Sequence, residues 1–396
     1  MYSIWVIPEE NIGANWSSTG DNDRSLERAP ACGRRLNKKK RLPLACLGVV
    51  LICLFAGPSQ IADLVATTAA GDPSDHAASA EANLPSDVFP DRQGALGEID
   101  WSQVGAPNQS SLGTLVAILD TGIDQNHEDL VGRVVAEVNL GDSPVVNDLH
   151  GHGTHIAGII AANTGNSIGI AGVAPESLIM NVKVTDDRGR CDAAAIADGI
   201  MWAVDRGANI LSISLRLSEP SQELEKAVAY AWSHGVLIIA AAGNEGGSLP
   251  QYPAYYPECI AVTATREDGS RAPLANHGDW VDVAAPGYQV YSTLPDNEYG
   301  YKTGTSQATA HVAGLAALLY SIAIDGNGDG RVNDEVRAAI EASCVQATGS
   351  GMGKGVVDPV EAVTLLQSES NLPPQPIPLE SGSECWFSVE INGYSD

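Results

Sequence analysis

Residues 179–215 read IMNVKVTDDRGRCDAAAIADGIMWAVDRGANILSISL, and their rhythm decides the fold. Ile179–Val184 and Ile210–Leu215 are short apolar runs bounded by turn residues, as buried strands are. Between them, Asp192–Arg206 has the length and pattern of a helix. The same alternation extends in both directions. Leu115–Leu119 and Val236–Ala242 read as further buried strands, and His152–Ala162 and Gln222–His234 as further helices. Strands alternating with helices of this length need crossover connections, which place the strands parallel. The expected fold is α/β, a doubly wound, mostly parallel sheet flanked by helices.

Composition agrees with that architecture. The chain has 396 residues, 44% of them hydrophobic but only 5% aromatic, with 41 glycines. Such a core is built from Ala, Val, Ile and Leu, which suits a sheet buried on both faces. The net charge of −27 argues against nucleic acid as a partner, because phosphate binding needs clustered Lys and Arg. No internal repeat is visible.

The charge is uneven. Eight of the 22 basic residues precede position 71, and the run Arg34–Arg41 leads directly into the apolar stretch Leu42–Gly57. A basic flank, a short apolar segment and a small-residue exit read as an export signal. The stretch is short of the roughly 20 residues of a full membrane span. Both a cleaved signal and a retained anchor through 42–57 stay open, and either places the remainder outside the cytoplasm. The expected organisation is a basic lead and export segment over 1–57, then a linker or short leader over 58–97. A packed domain of alternating strands and helices over 98–367 follows, with a proline-containing tail over 368–396. Between the export segment and Glu98 there is too little chain for a further packed domain. Four of the seven cysteines, Cys191, Cys259, Cys344 and Cys385, fall beyond the export segment, which permits three disulfide pairings. No Cys or His spacing suggests zinc.

Three motifs bear chemistry. In VAILDTGID, Asp120 ends a strand, the end at which open α/β sheets bind their ligands; the plainer reading is a turn former. In HGHGTHIAG, His150, His152 and His155 crowd the start of a helix, with glycines that permit a sharp turn. Metal binding by His150 and His155 is the competing reading, although no carboxylate stands at zincin spacing. In GTSQATAHVAG, Ser306 precedes an apolar helical run, where it reads as an N-cap or as a nucleophile at the positive end of a helix.

Taken together, Asp, His and Ser in this order resemble the subtilisin-like serine protease family (peptidase S8), and its thermitase branch above all. The resemblance runs from about Ile99 to Leu366 and includes SIGIAGVAP (167–175), AAAGNEG (240–246), YPAYYPECIAV (252–262) and VDVAAPG (281–287). It implies a monomeric serine endopeptidase acting on polypeptides. Ser306 would be the nucleophile, His152 the general base and acid, and Asp120 the group that orients His152. Asn244 and the Ser306 N–H would form the oxyanion hole, while His150, His155 and His311 would be structural. Substrate contacts would come from Ser214, Leu215 and Arg216 and from Ala241, Ala242 and Gly243.

The resemblance also implies calcium as a structural cofactor, with Asp129, Asn166 and the carbonyls of Ile168 and Ile170 as ligands. Separately, Asp325-Gly-Asn327-Gly-Asp329-Gly330 begins like an EF-hand or dockerin loop, though Val336 stands where the twelfth-position carboxylate belongs and Glu335 comes one residue early. A variant calcium loop and an Asp/Gly-rich turn are the two readings.

Three departures from the family stand close to the expected chemistry. Arg216 occupies a position where relatives usually have glycine, and is expected to narrow the apolar S1 preference and to tolerate acidic side chains. Gln307 replaces the usual Met, removing an oxidisable thioether, and Ala310 replaces the usual Pro. Ala310 motivates an alternative, a subtilisin-fold transpeptidase or peptide ligase. A non-catalytic secreted binding protein would be expected to lack a triad member, and none is missing.

Overall fold

A computed structural model of the chain describes residues 113–368, together with Asp87 and residues 92–98. The expected export segment, most of the linker, the tail from residue 369 and Cys385 lie outside the described residues. A short helix α1 (Gly94–Glu98) precedes the elements β1 (Leu115–Asp120), β2 (Val134–Asn139), α2 (His152–Ala161), β3 (Leu178–Lys183) and α3 (Ala193–Val204). Next come β4 (Ile210–Ile213), α4 (Gln222–Ser233), β5 (Leu237–Ala241), β6 (Cys259–Thr265) and β7 (Val283–Pro286). The hairpin β8 (Val290–Leu294) and β9 (Glu298–Lys302) leads into α5 (Thr305–Tyr320), followed by α6 (Asn333–Ala342) and α7 (Pro359–Gln367).

Seven strands form one sheet in the order β2-β3-β1-β4-β5-β6-β7, every pairing parallel. The doubly wound α/β fold expected from the sequence is the fold observed. Along β1 successive side chains point to opposite faces. Val116 and Ile118 join a core built with α2 and α5, while Ala117 and Leu119 join a second core against α3 and α4. Both faces are thus covered, which is why the strands read as unbroken apolar runs. Helix ends follow local chemistry. Asp192 caps α3 by accepting the Ala195 N–H, Ser221 caps α4 through Leu224, and Asp358 caps α7 with Pro359 in the first turn.

Strand β1 is central, with Leu119 opposite Val182 of β3 on one side and Ile213 of β4 on the other. The chain passes from β3 to β4 across β1, so the winding direction changes there. The carboxyl end of β1 is therefore the crevice in which such sheets bind ligands. Asp120 is its last residue.

Candidate active site

Asp120 leaves β1 almost wholly buried, at 1% exposure. Its carboxylate accepts hydrogen bonds from the Thr121 N–H at 2.7 Å and from His152 Nδ1, which lies 2.7 Å from one oxygen and 2.9 Å from the other. A carboxylate can only accept, so Nδ1 bears the proton and Nε2 is left as the basic nitrogen. Burial of the imidazole lowers its pKa, but the charge and hydrogen bond of Asp120 outweigh this, and the net shift is upward from the ordinary 6.5.

The close approach of α2 to β1 depends on a glycine. A Cβ on Gly153 would collide with the Gly122 carbonyl and come within 3.2 Å of the Asp120 side chain. The helix start is organised by Asp148, which sequence reading passed over. This carboxylate, 1% exposed, accepts from the N–H groups of His150, Gly151 and Thr154 and from the hydroxyls of Thr121 and Thr154. Thr121 in turn accepts the Gly153 N–H at 2.9 Å. The signal was present in NDLHGHGT, an Asp four residues before the helix, where it reads as an ordinary turn residue.

Ser306 is the second residue of α5, not its cap; the cap position is Gly304, without a side-chain bond. The serine is 6% exposed and shares a cavity of about 460 Å³ with His152, Asn244, Ser214 and Arg216. Among the described residues no hydrogen bond joins His152 to Ser306; such contacts often close only when substrate binds. The Asn244 amide oxygen accepts from the Thr305 N–H at 2.9 Å and the Thr305 hydroxyl at 3.2 Å. With its oxygen so anchored, Asn244 has its Nδ2 hydrogens left to donate beside the start of a helix, where negative charge is favoured.

Of the expected substrate contacts, Ser214, Leu215, Arg216, Ala241 and Gly243 line the cavity, whereas Ala242 is fully buried behind it. The regular part of β4 ends at Ile213, and the chain beyond is next fixed where Leu217 exchanges backbone hydrogen bonds with Tyr252. Arg216 forms an ion pair with Glu245, so its charge is already met within the protein. The expected tolerance for acidic side chains would require such a side chain to displace Glu245. Gln307 is buried, at 2% exposure, and its Nε2 has no partner. Ala310 is fully buried in α5 and does not line the cavity.

Two further histidines are structural in placement. His155 is fully buried, its Nε2 3.1 Å from the Gly300 carbonyl, and burial takes its pKa down to about 3. His311 donates from Nδ1 to the Pro286 carbonyl at 2.9 Å and is lowered by burial to about 4. His150 lies at the cavity beside His152. The cavity also holds Cys191, whose thiol is pushed up to about 11 by burial and by the Asp120 charge, and so stays protonated rather than nucleophilic. Among the described residues, Cys191, Cys259 and Cys344 form no disulfide.

The residues expected to hold calcium fall into two places. Asp129 is fully buried, accepting from Asn166 Nδ2 at 2.8 Å and from the Ile170 N–H at 2.9 Å, while the Ile168 N–H donates to Asn166 Oδ1. Asp87, not anticipated from the sequence, joins them. One of its oxygens accepts from the N–H groups of Gly165 and Asn166, and the other is buried without a partner. Burial raises the pKa of both Asp87 and Asp129, and Asp87 feels the Asp129 charge as well. Both Asp129 oxygens have donors, Oδ2 also taking the Tyr299 hydroxyl at 3.3 Å, so the unmet acceptor is Asp87 Oδ2; two buried carboxylates beside an amide oxygen suit a hard cation.

The 325–335 loop is arranged differently. Asp325 accepts from the N–H groups of Gly328, Asp329 and Gly330, and Asn327 accepts from that of Asp329. The Asp329 carboxylate is gripped by the Arg331 guanidinium at 2.6 Å. Glu335 accepts the Gly326 N–H with one oxygen, and its other is buried without a partner. Among the described residues there is no group of three or more His, Cys, Asp or Glu suited to a metal ion.

Known proteins share both sequence and fold with this chain. Residues 111–356 match the Peptidase S8 subtilase family. Thermitase of Thermoactinomyces vulgaris is 44% identical over 254 residues, covering 63% of this chain and 88% of that protein. Subtilisin BL of Lederbergia lenta is 46% identical over 207 residues, covering 52% and 76%. Among solved structures, a protease of Pseudoalteromonas arctica PAMC 21717 superposes with a TM-score of 0.63 at 28% identity, covering 71% of this chain and 99% of that one. The matched span contains the strand end, the helix starts and the cavity described above, and the chain belongs to the subtilase family of serine endopeptidases.

Proposed function

We propose that the chain is an exported endopeptidase that hydrolyses peptide bonds through Asp120, His152 and Ser306, with an acyl-enzyme intermediate. The observation that bears most weight is the two-oxygen hold of Asp120 on His152 Nδ1, beside a cavity that Ser306 also lines. An alkyl alcohol is a poor nucleophile at neutral pH, so His152 Nε2 takes the Ser306 proton as Oγ attacks the scissile carbonyl. The resulting oxyanion is met by Asn244 Nδ2 and the Ser306 N–H. The imidazolium, steadied by Asp120, then protonates the leaving amine. Water then attacks the acyl carbonyl as His152 takes its proton, and His152 returns that proton to Ser306 Oγ as the Oγ–acyl bond breaks and the carboxylic acid leaves.

Replacing Ser306 or His152 by alanine tests the assignment. Hydrolysis of a chromogenic peptide should fall by about 10⁶-fold in kcat, a magnitude borrowed from subtilisin; either variant cleaving at the parent rate would overturn it. Adding a peptide amine during turnover addresses the transpeptidase alternative. Hydrolysis products alone are expected, because Ala310 does not reach the cavity.

Calcium is proposed as a stabilising ion held by Asp87, Asp129 and Asn166, completed by the carbonyls of Ile168 and Ile170. It would neutralise paired buried carboxylates and pin the segment before β3. A second seat is proposed at Asp325, Asn327 and Asp329, where the ion would have to displace Arg331 from Asp329. The domain limits 58–97, 98–367 and 368–396, the monomeric state and export through 34–57 are proposals resting on the sequence. Among the described residues no helix is long and apolar enough to cross a membrane.

A further inference from the structure

We propose that Arg216 and Glu245 form a bridge over the mouth of the primary specificity pocket, restricting the side chain that precedes the scissile bond to small, uncharged residues. The inference rests on the proposed active site and refines its substrate class. Two segments wall the cleft, Ser214–Arg216 after β4 and Ala241–Gly243 at the end of β5. A side chain entering between them meets a cross-link, because the Arg216 guanidinium reaches across to the Glu245 carboxylate.

The crossing is close over Gly243, which has a φ of +100°. A Cβ there would lie 3.3 Å from Arg216 Cδ and 3.0 Å from Glu245 Oε2. Both ends are held. Arg216 Nη1 donates to Gln251 at 3.4 Å, and Glu245 Oε2 accepts from Asn276 Nδ2 at 3.0 Å. Asn276 is itself buried and accepts the Glu245 and Gly247 N–H groups through its Oδ1. Glu245 is therefore set in place by the scaffold, and Arg216 is drawn to it.

The pair contributes little to folding, since both side chains are nearly half exposed, at 45% and 43%, and such pairs are screened by water and salt. Its importance is positional. An aromatic or long aliphatic side chain cannot pass without parting the two charges. An acidic side chain finds the guanidinium already occupied and a second carboxylate beside it, and a basic one meets the guanidinium itself.

The test compares kcat/KM for three otherwise identical peptides carrying Ala, Phe or Glu before the scissile bond. The parent enzyme should favour Ala over both others. Arg216→Gly should raise the Phe/Ala ratio by about tenfold or more, the usual worth of freeing space in an apolar pocket. Glu245→Gln, which leaves the guanidinium in place but unpaired, should raise the Glu/Ala ratio instead. Exchanging both charges, Arg216→Glu with Glu245→Arg, should restore the preference for Ala, an outcome that generic loosening of the loop would not give. Ratios within threefold of the parent in both single variants would overturn the bridge. Fluorophosphonate labelling of Ser306 in each protein separates the two levels. Labelled enzymes with unchanged ratios refute the bridge alone, whereas a parent that neither labels nor cleaves refutes the underlying active site.

Discussion

Replacing Asp120 by asparagine separates the orienting role of this carboxylate from its bulk. The side chain is buried and spends both oxygens on His152 Nδ1, at 2.7 and 2.9 Å, while one oxygen also receives the Thr121 N–H. An asparagine that keeps the Thr121 bond sets its oxygen 2.7 Å from His152 Nδ1 and its NH₂ at the second oxygen's place, 2.9 Å from the same nitrogen, so a donor stands where the carboxylate offered only acceptors. When Nδ1 accepts from that NH₂, the proton moves to Nε2, and Nε2 can no longer deprotonate Ser306. In a serine-protease triad this change costs about 10⁴ in kcat, on the order of 5 kcal/mol of transition-state stabilisation. The pH profile supplies a second, independent readout. In the parent, Asp120 outweighs burial and holds the His152 pKa above the ordinary 6.5. Activity, which needs the neutral ring, should therefore fall as pH drops through a value above 6.5. Without the carboxylate, burial dominates, and the acid limb should move below 6.5. Steady-state kcat/KM from pH 4 to 10 measures both effects. A loss below tenfold, or an acid limb that stays in place, would refute the orienting role.

Acid should destabilise the fold through its buried histidines. His311 and His155 titrate at about 4 and about 3 when folded, so the unfolded chain takes up their protons first as pH falls below 6.5. Stability from these neutral rings is intact above 6.5 and is lost toward pH 4 and below, by an amount on the order of 3 kcal/mol per ring. The stability difference between parent and His311→Leu, measured by urea unfolding, should shrink by that order between pH 7 and pH 4; a constant difference would contradict it. Peroxide should inactivate the parent slowly, because Gln307 adjoins Ser306 where a methionine would oxidise. Gln307→Met should become sensitive, and equal inactivation rates would refute the claim. A chelator should lower the thermal midpoint of the parent but not of Asp87→Asn or Asp129→Asn. Calorimetry on Asp325→Ala and Asp329→Ala reports the second seat, where loss of a calcium event is expected and an unchanged titration would remove it.

What could be read from the sequence was whatever depended on local pattern. The strands at 115, 179, 210 and 237 have both faces buried and so appear as uninterrupted apolar runs, and the helices at 193 and 222 begin where capping residues stand. Hairpin β8–β9 was not anticipated. Its second strand, EYGYK, is half exposed and polar, and its register comes from tertiary packing of β8 against α2. The three residues proposed as the triad were legible because each stands in a glycine-rich motif. Asp148 and Asp87 were not, since a lone Asp in a loop looks the same whether it binds five donors or none. The position of Arg216 was legible but its pairing was not, because Glu245 lies 29 positions away and only the folded chain brings the two together.

Reaction with a fluorophosphonate, followed by peptide mapping, interrogates the nucleophile most directly. A single adduct on Ser306 is predicted, formed rapidly in the parent and abolished in His152→Ala. An adduct on any other residue, or an intact Ser306 in folded protein, would contradict the assignment of Ser306 as the group that attacks the peptide bond.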